Sequence, residues 1–528
     1  MREEDQMKLG FAAALMVSAA SAGAAFADAD RKDLVVAYAA ESTVLDPVKF
    51  SAGVDMYFMV HMFEQLVAIG PDMEPVNWLA EKWELSEENG NPVIDVHLRS
   101  GVTFHNGDEL TAEDFEFSFQ RARDPAVSRW THLQNAVEHF EIVSPLHFRL
   151  HFNKADASYL SADINGILRL WAIPKKYFLE VGEEEFGRRP IGTGPWKFVD
   201  RKIKEELVLE KFEGYWNKDA APEAGKLTIK IIPDDVTRMA AFRTGEVDWV
   251  DAVPPSMVKD IQALPNVETA SNLAGNNLFL LLPENIPGSP FQDSRVRRAM
   301  AHAIDVDAIV QSVVFGQGQR YAEVGEGAAG HDPNLKPLAY DPVLAKQLLT
   351  EAGYPNGFDT PCYNLTTPRE PNIKEVGEAM FAYLQMVGIR CRVEGLEYGA
   401  WISLGRRADS SRDLDGPISW MWGHGVPGDP GQPWAGHVHS YVEGQGYGSY
   451  SYVQDAELDQ MIEESNLIMD PDARGELLRQ IGRLKQERAT GGLPTYQPLL
   501  TVAWNAEKVD YTPWPGAFWR SFQGLSAK

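Results

Sequence analysis

Two spacings of apolar residues run through the chain and predict its elements. Alternation at every second position marks strands over Val93 to Leu98 and Phe148 to Phe152, and strand character also covers Asp33 to Ala39, Trp196 to Val199 and Leu207 to Lys211. Helices are expected from about Met56 to Leu66 and over Ala112 to Arg123, where Thr111 and Asp114 stand at N-cap and N3. Gly192-Thr193-Gly194-Pro195 reads as a turn whose glycines permit a tight bend. After about residue 275 helices alternate with strands. Asp341-Pro342 opens a helix that Gly353 closes. Pro361 to Thr367 is a strand, and Val376, Met380, Tyr383, Leu384 and Val387 lie along a helix that Gly388 stops. Ile389 to Val393 returns as a strand, which makes a βαβ unit and hence parallel sheet. Asp455 and Asp470-Pro471 open two more amphipathic helices, and Thr501 to Val509 returns to strand character. The pattern is that of two α/β lobes, with no internal repeat.

Composition narrows this picture. The 528 residues are 44% hydrophobic and 24% charged, an ordinary globular mix long enough for two or three domains. Acidic residues outnumber basic ones 76 to 49, and the net charge of −27 argues against a nucleic-acid partner. Residues 1–27 are different in kind. Lys8 precedes the apolar run Phe11 to Ala25, and Ala25-Phe26-Ala27 is the small-x-small pattern of a cleaved signal peptide. Glu3, Glu4 and Asp5 do not suit a basic n-region, so Met7 competes with Met1 as the working start. No cysteine stands at the cleavage point for lipid attachment, and no later run is long and apolar enough to span a bilayer. A soluble protein exported through the inner membrane to the periplasm is expected. Cys362 and Cys391 flank the helix of the βαβ unit, and the sequence leaves open whether they are bridged or are two buried thiols.

Several strings resemble one family. Ala80-Glu81-Lys82-Trp83-Glu84, Leu98 to Gly107 and Leu110 to Phe115 are similar to segments of the family 5 extracellular solute-binding proteins, the dipeptide-, oligopeptide- and nickel-binding components of bacterial ABC importers. Gly192 to Trp196, Tyr215-Trp216, Gly245-Glu246-Val247-Asp248, Asp293 to Asp305, Asp341 to Gly357 and Val387-Gly388-Ile389 continue the resemblance in the family's order. It implies an α/β, two-lobed periplasmic-binding-protein fold with an inserted subdomain and a hinge between the lobes. The implied division is 28–64, 190–275 and 497–528 for lobe I, 65–189 for the inserted subdomain, and 276–496 for lobe II. A small polar solute, peptide or peptide-like, is then captured between the lobes and delivered to permease subunits in the inner membrane. No catalysis, cofactor or bound metal is expected, and the chain is expected to be a monomer.

The resemblance also places the ligand. One wall corresponds to the loop after the first strand, with Ser51, Ala52, Gly53 and Val54, and Tyr57 beyond it. The other corresponds to Ser419 to Pro430, where Trp420 and Trp422 share one face of a strand and His424 and Asp429 follow. Tyr398 falls where relatives place a pocket aromatic, and Arg369 lies near a carboxylate-pairing arginine, about two residues out of register. Peptide-binding relatives carry an aspartate three residues after the tryptophan of this segment, but counting from Trp422 gives Gly425 here. The ammonium anchor of a peptide is therefore missing or displaced. Half of the 14 tryptophans fall after residue 400, which keeps an oligosaccharide stacked on aromatic faces as the alternative ligand. His437, His439 and His424 offer a weaker metal-chelate reading. The glycines of 325–330 precede no helix, and no GxSxG or HExxH string occurs. A secreted glycan hydrolase is the reading from a different class.

Overall fold

A computed structural model describes residues 33–50, 53–69, 75–128, 134–157, 170–273, 277–367, 370–406, 414–422, 429–443, 447–512 and 525–527. Twelve strands form one large sheet, and a separate four-stranded antiparallel sheet is built from Ala80–Glu88, Asn91–Leu98, His147–Phe152 and Val137–Ser144. The first strand, Leu34–Tyr38, is buried along its whole length. Leu34, Val36 and Tyr38 enter one core and Val35 and Ala37 another, so both faces of the sheet are covered there. A larger core runs from Leu278 to Tyr496, and a fourth fills the four-stranded unit with Phe104, Phe115, Phe119 and Phe148.

Local signals place most elements. Asp341 accepts from Val343 N and Leu344 N at 3.1 and 2.9 Å, which starts helix Pro342–Glu351. Thr111 N donates to Asp114 Oδ2 at 2.9 Å ahead of Ala112–Arg123. The βαβ unit is Phe358–Leu365, Ile373–Met386 and Ile389–Leu396, with parallel pairing. Cys362 and Cys391 stand on those neighbouring strands and are joined in a disulfide across 29 residues of sequence. Closing a loop of that size removes about 3–4 kcal/mol of unfolded-chain entropy.

Three expectations need correction. The helix expected from Met56 to Leu66 is Gly53–Met59. Beyond it the backbone is taken by tertiary pairing, since Gly194 N and Trp196 N donate to Met62 O and His61 O at 2.9 and 3.1 Å. That pairing also explains Gly192 and Gly194. A Cβ on either would lie 2.1 or 2.7 Å from a carbonyl oxygen of Met62 or His61, so close approach, and not a tight bend, requires glycine. The last long strand is Leu493–Asn505, beginning eight residues before the expected Thr501. Pro494 and Pro498 hid its first half, because proline breaks a strand pattern. Both are accommodated, Pro494 opposite Phe279 beside a register shift and Pro498 opposite the two-residue strand Gly318–Gln319.

Candidate ligand-binding cleft

The strand Leu493–Asn505 sets the geometry. Its first residues pair with Asn277–Leu281 and its last with Trp249–Val253, both antiparallel. Trp249–Val253 starts opposite Trp504 and reaches Thr501, and Leu34–Tyr38 runs parallel to it. Ile418–Trp422 is antiparallel to Asn277–Leu281 and ends with Trp422 opposite Asn277, so it runs toward the same middle from the other side. Phe358–Leu365 and Ile389–Leu396 run parallel with it. Carboxyl ends of strands from both lobes therefore converge on the stretch around Gln497 to Thr501. In open α/β sheets, carboxyl ends of strands are where ligands bind.

On the first side the chain leaves Tyr38 into a loop held by charge. Arg121 Nη1 and Nη2 donate to Asp46 Oδ1 and Oδ2 at 3.1 and 2.6 Å, and both side chains are buried. Asp55 is also buried and accepts from Ser42 Oγ and Thr43 N, each at 2.9 Å. These contacts fix the loop at both ends of the wall. Gly53 starts helix Gly53–Met59, Val54 and Tyr57 are half-buried, and Tyr57 meets Tyr38 edge-on at 6.2 Å. Ser51 and Ala52 lie outside the described residues. Ala39 N donates to Asp251 Oδ1 at 2.9 Å, and burial pushes that carboxyl up to about 7 while Arg238 works the other way.

On the second side the wall is backed by stacked rings. Tyr398 lies on Trp401 at 5.8 Å, Trp401 on Trp420 at 3.9 Å, Trp420 against Tyr450 at 5.9 Å, and Tyr450 on His437 at 5.1 Å. Tyr398 is 36% exposed, whereas Trp401 and Trp420 are each 1% exposed. With Trp401 and Tyr450 packed against its ring, Trp420 offers no open face for stacking, which departs from its expected role, and the tryptophans Trp401, Trp434 and Trp504 are likewise buried. Tyr398 is positioned by its own N–H donating to Thr367 Oγ1 at 3.0 Å, while Thr366 and Thr367 donate to Glu397. The Trp422 side chain, His424 and Arg369 lie outside the described residues.

Asp429 is a second correction. Arg474 grips it bidentately, Nε to Oδ2 and Nη2 to Oδ1, both at 2.7 Å, and Gly431 N donates to Oδ1 at 2.8 Å. Its charge is spent on Arg474 and on the start of helix Gly431–His437, so it does not stand free as an ammonium anchor. The weaker metal-chelate reading also fails for His437 and His439. His437 is fully buried with Nδ1 on Pro433 O, and His439 has Nε2 on Glu463. They are parted by the end of a helix and do not share a strand face.

Asn277 went unnoticed in the sequence. It is 1% exposed, stands at the converging edge opposite Trp422, and neither its amide oxygen nor its nitrogen has a partner among the described residues. An unpaired buried amide costs about 1–3 kcal/mol, which a polar ligand would relieve. The available signal was the polar Asn276-Asn277 directly before the apolar run Leu278 to Leu282. The edge offers the Asn277 amide, a group suited to pairing with another amide by hydrogen bonds.

The profile of the bacterial extracellular solute-binding proteins, family 5, matches residues 74–444. Heme-binding protein A of Haemophilus influenzae is 28% identical over 432 residues, covering 78% of this chain and 76% of its own. The glutathione-binding protein GsiB of Escherichia coli K12 is 27% identical, covering 74% and 73%. Among solved structures, the periplasmic binding protein DppA from Helicobacter pylori in complex with the peptide STSA superposes with a TM-score of 0.76 at 25% identity, covering 94% of this chain and 98% of its own. Two lobes whose strand ends converge on a crossing strand, joined to this match over most of the length, leave one assignment: the chain belongs to the family 5 extracellular solute-binding proteins of bacterial ABC importers.

Proposed function

We propose that the chain captures a peptide or peptide-like solute between its lobes in the periplasm and hands it to permease subunits in the inner membrane without chemical turnover. The observation that carries this reading is Asn277, a buried amide without a partner among the described residues, at the edge where the strand ends meet. A side-chain amide donates and accepts at once, as a peptide group does, so the two pair without leaving a charge behind. With Asp429 bound to Arg474, the ligand's main-chain amides and not its ammonium are what the site reads. GsiB and DppA, which bind glutathione and the peptide STSA, support the same class. The oligosaccharide alternative loses ground, because Trp401, Trp420, Trp434 and Trp504 are core residues and offer no stacking surface.

The test is a thermal-shift screen of the chain from Asp28 onward against glutathione, dipeptides, tetrapeptides, heme, oligosaccharides and nickel with histidine. A ligand at about 100 times its Kd stabilises by roughly 2.7 kcal/mol, which is read as a raised midpoint. The expected result is a shift with glutathione or short peptides that Asn277→Ala weakens about tenfold in affinity. A shift with oligosaccharides or heme alone would overturn the peptide reading.

A further inference from the structure

Four of the chain's twelve histidines, His97, His139, His147 and His151, occupy the outward face of the four-stranded sheet, away from the cleft-forming strand ends. Along His147–Phe152 the alternation is strict: Phe148, Leu150 and Phe152 enter the core, while His147, Arg149 and His151 face outward. Alternation explains why these residues share a face, but not why their polar atoms converge. His97 and His147 are directly opposed across two strands, with rings stacked at 4.1 Å and 17°. Asp95, two residues before His97, brings its Oδ1 to 2.7 Å from His147 Nε2 and 3.1 Å from His97 Nε2. The three ligand atoms all lie within 4.8 Å of one another. Bonds of about 2.0–2.1 Å at tetrahedral angles set ligand atoms roughly 3.3 Å apart, so small side-chain rotations suffice to admit an ion.

The surroundings suit that role. Arg149 Nε donates to Asp95 Oδ2 at 2.7 Å, which fixes the carboxylate and leaves Oδ1 directed at the imidazoles. Lys82 and Glu84 stand opposite His97 and Asp95 on the next strand and are paired with each other at 2.8 Å. We propose that Asp95, His97 and His147 form a surface site for a divalent cation of the zinc, nickel and copper class, with water completing the coordination. Two imidazoles and one carboxylate favour those ions over calcium or magnesium, which prefer all-oxygen sets. The neighbouring pair His139 and His151 stacks at 4.2 Å, with His151 Nε2 at 2.9 Å from Glu141 Oε2, but it gathers no comparable triad among the described residues. It serves as an internal control.

The experiment is competition for zinc between the metal-free chain and a chromophoric chelator at pH 7.5. One zinc is expected per chain, with His97→Ala and His147→Ala each weakening binding roughly tenfold or more and His139→Ala leaving it within about twofold. Asp95→Asn keeps the shape of the side chain and is expected to weaken zinc about tenfold while the melting midpoint stays within a few degrees. Zinc affinity that is unchanged in both His97→Ala and His147→Ala, or that falls equally in His139→Ala, overturns the site. So does failure of the parent chain to retain zinc at about 100 μM.

Discussion

The two sides of the proposed cleft are built on different physics. The loop after Leu34–Tyr38 is held by charged groups withdrawn from water, Arg121 on Asp46 and Asp55 on Ser42 and Thr43. The opposite wall rests on a column of rings from Tyr398 through Trp401 and Trp420 to Tyr450 and His437. A charge brace is directional and fixes backbone position, at the risk of a stranded charge when one partner is lost. A ring column tolerates small slides but depends on volume, so its weak point is a cavity. Tyr398 is the most exposed ring of the column, and the rings beneath it act as its foundation.

The largest expected effect follows from the column. Trp420 is sandwiched between Trp401 and Tyr450, and its ring fills the space over Gly405, where a Cβ would come within 2.2 Å of it. Trp420→Ala should cost about 4–5 kcal/mol of stability in chemical denaturation. Ligand affinity should fall only as far as Tyr398 loses its backing. A stability change below about 1 kcal/mol with collapsed ligand affinity would mean that Trp420 touches ligand, and the contrast between the walls would fail. Next comes the charge brace. Arg121→Met keeps most of the packing against Phe178, 4.2 Å from the guanidinium, but leaves Asp46 buried without its cation. The expected loss is about 3 kcal/mol. Adding Asp46→Asn should recover part of it, because the stranded charge is then removed. No recovery in the double variant would show that the brace works by packing, like the other wall.

How much of this was legible in the sequence depends on the range of the signal. Caps such as Asp341 and the apolar stripe of Ile373–Met386 are local, and the structure places those elements where the pattern puts them. The loop at Ser51 to Val54 and the segment after Trp420 rest on the resemblance, and in chain order they come after the strands Leu34–Tyr38 and Ile418–Trp422. What the sequence hid was long-range. Trp420 reads the same on a strand whether its ring faces a cleft or a core, and only Trp401 and Tyr450, distant in sequence, decide it. Asp429 has an acidic reading as a free anchor until Arg474, 45 residues on, is seen holding it. Asn277 needed the register with Trp422 to show that a polar residue next to an apolar run sits at the meeting edge.

The smallest predicted effect asks whether the two sides, so different in their supports, share a sensitivity to acid. Buried histidines stand on both: His61 against Tyr38 and His105 on the turn that pairs with His61 and Met62, and His437 in the ring column. His105 lies between the subdomain and the Gly192 turn, accepting from Gly192 N at Nδ1 at 3.2 Å and donating from Nε2 to Gly194 O at 2.9 Å. Burial lowers its pKa to about 4, and burial lowers that of His437 in the ring column to about 3. In an unfolded chain both titrate near 6.5, so between roughly pH 6.5 and 4 the unfolded state binds protons that the folded state refuses. Stability is therefore full above that window and is lost as the pH falls through it, by about 2 kcal/mol for each histidine at pH 5. His105→Gln retains a neutral donor and acceptor at the turn without the titration. The drop in its denaturation free energy between pH 7 and pH 5 should be smaller than that of the parent by about 2 kcal/mol. An equal drop in parent and variant would remove His105 from the account and leave acid sensitivity to His61, which burial also lowers to about 4, and to His437 in the ring column.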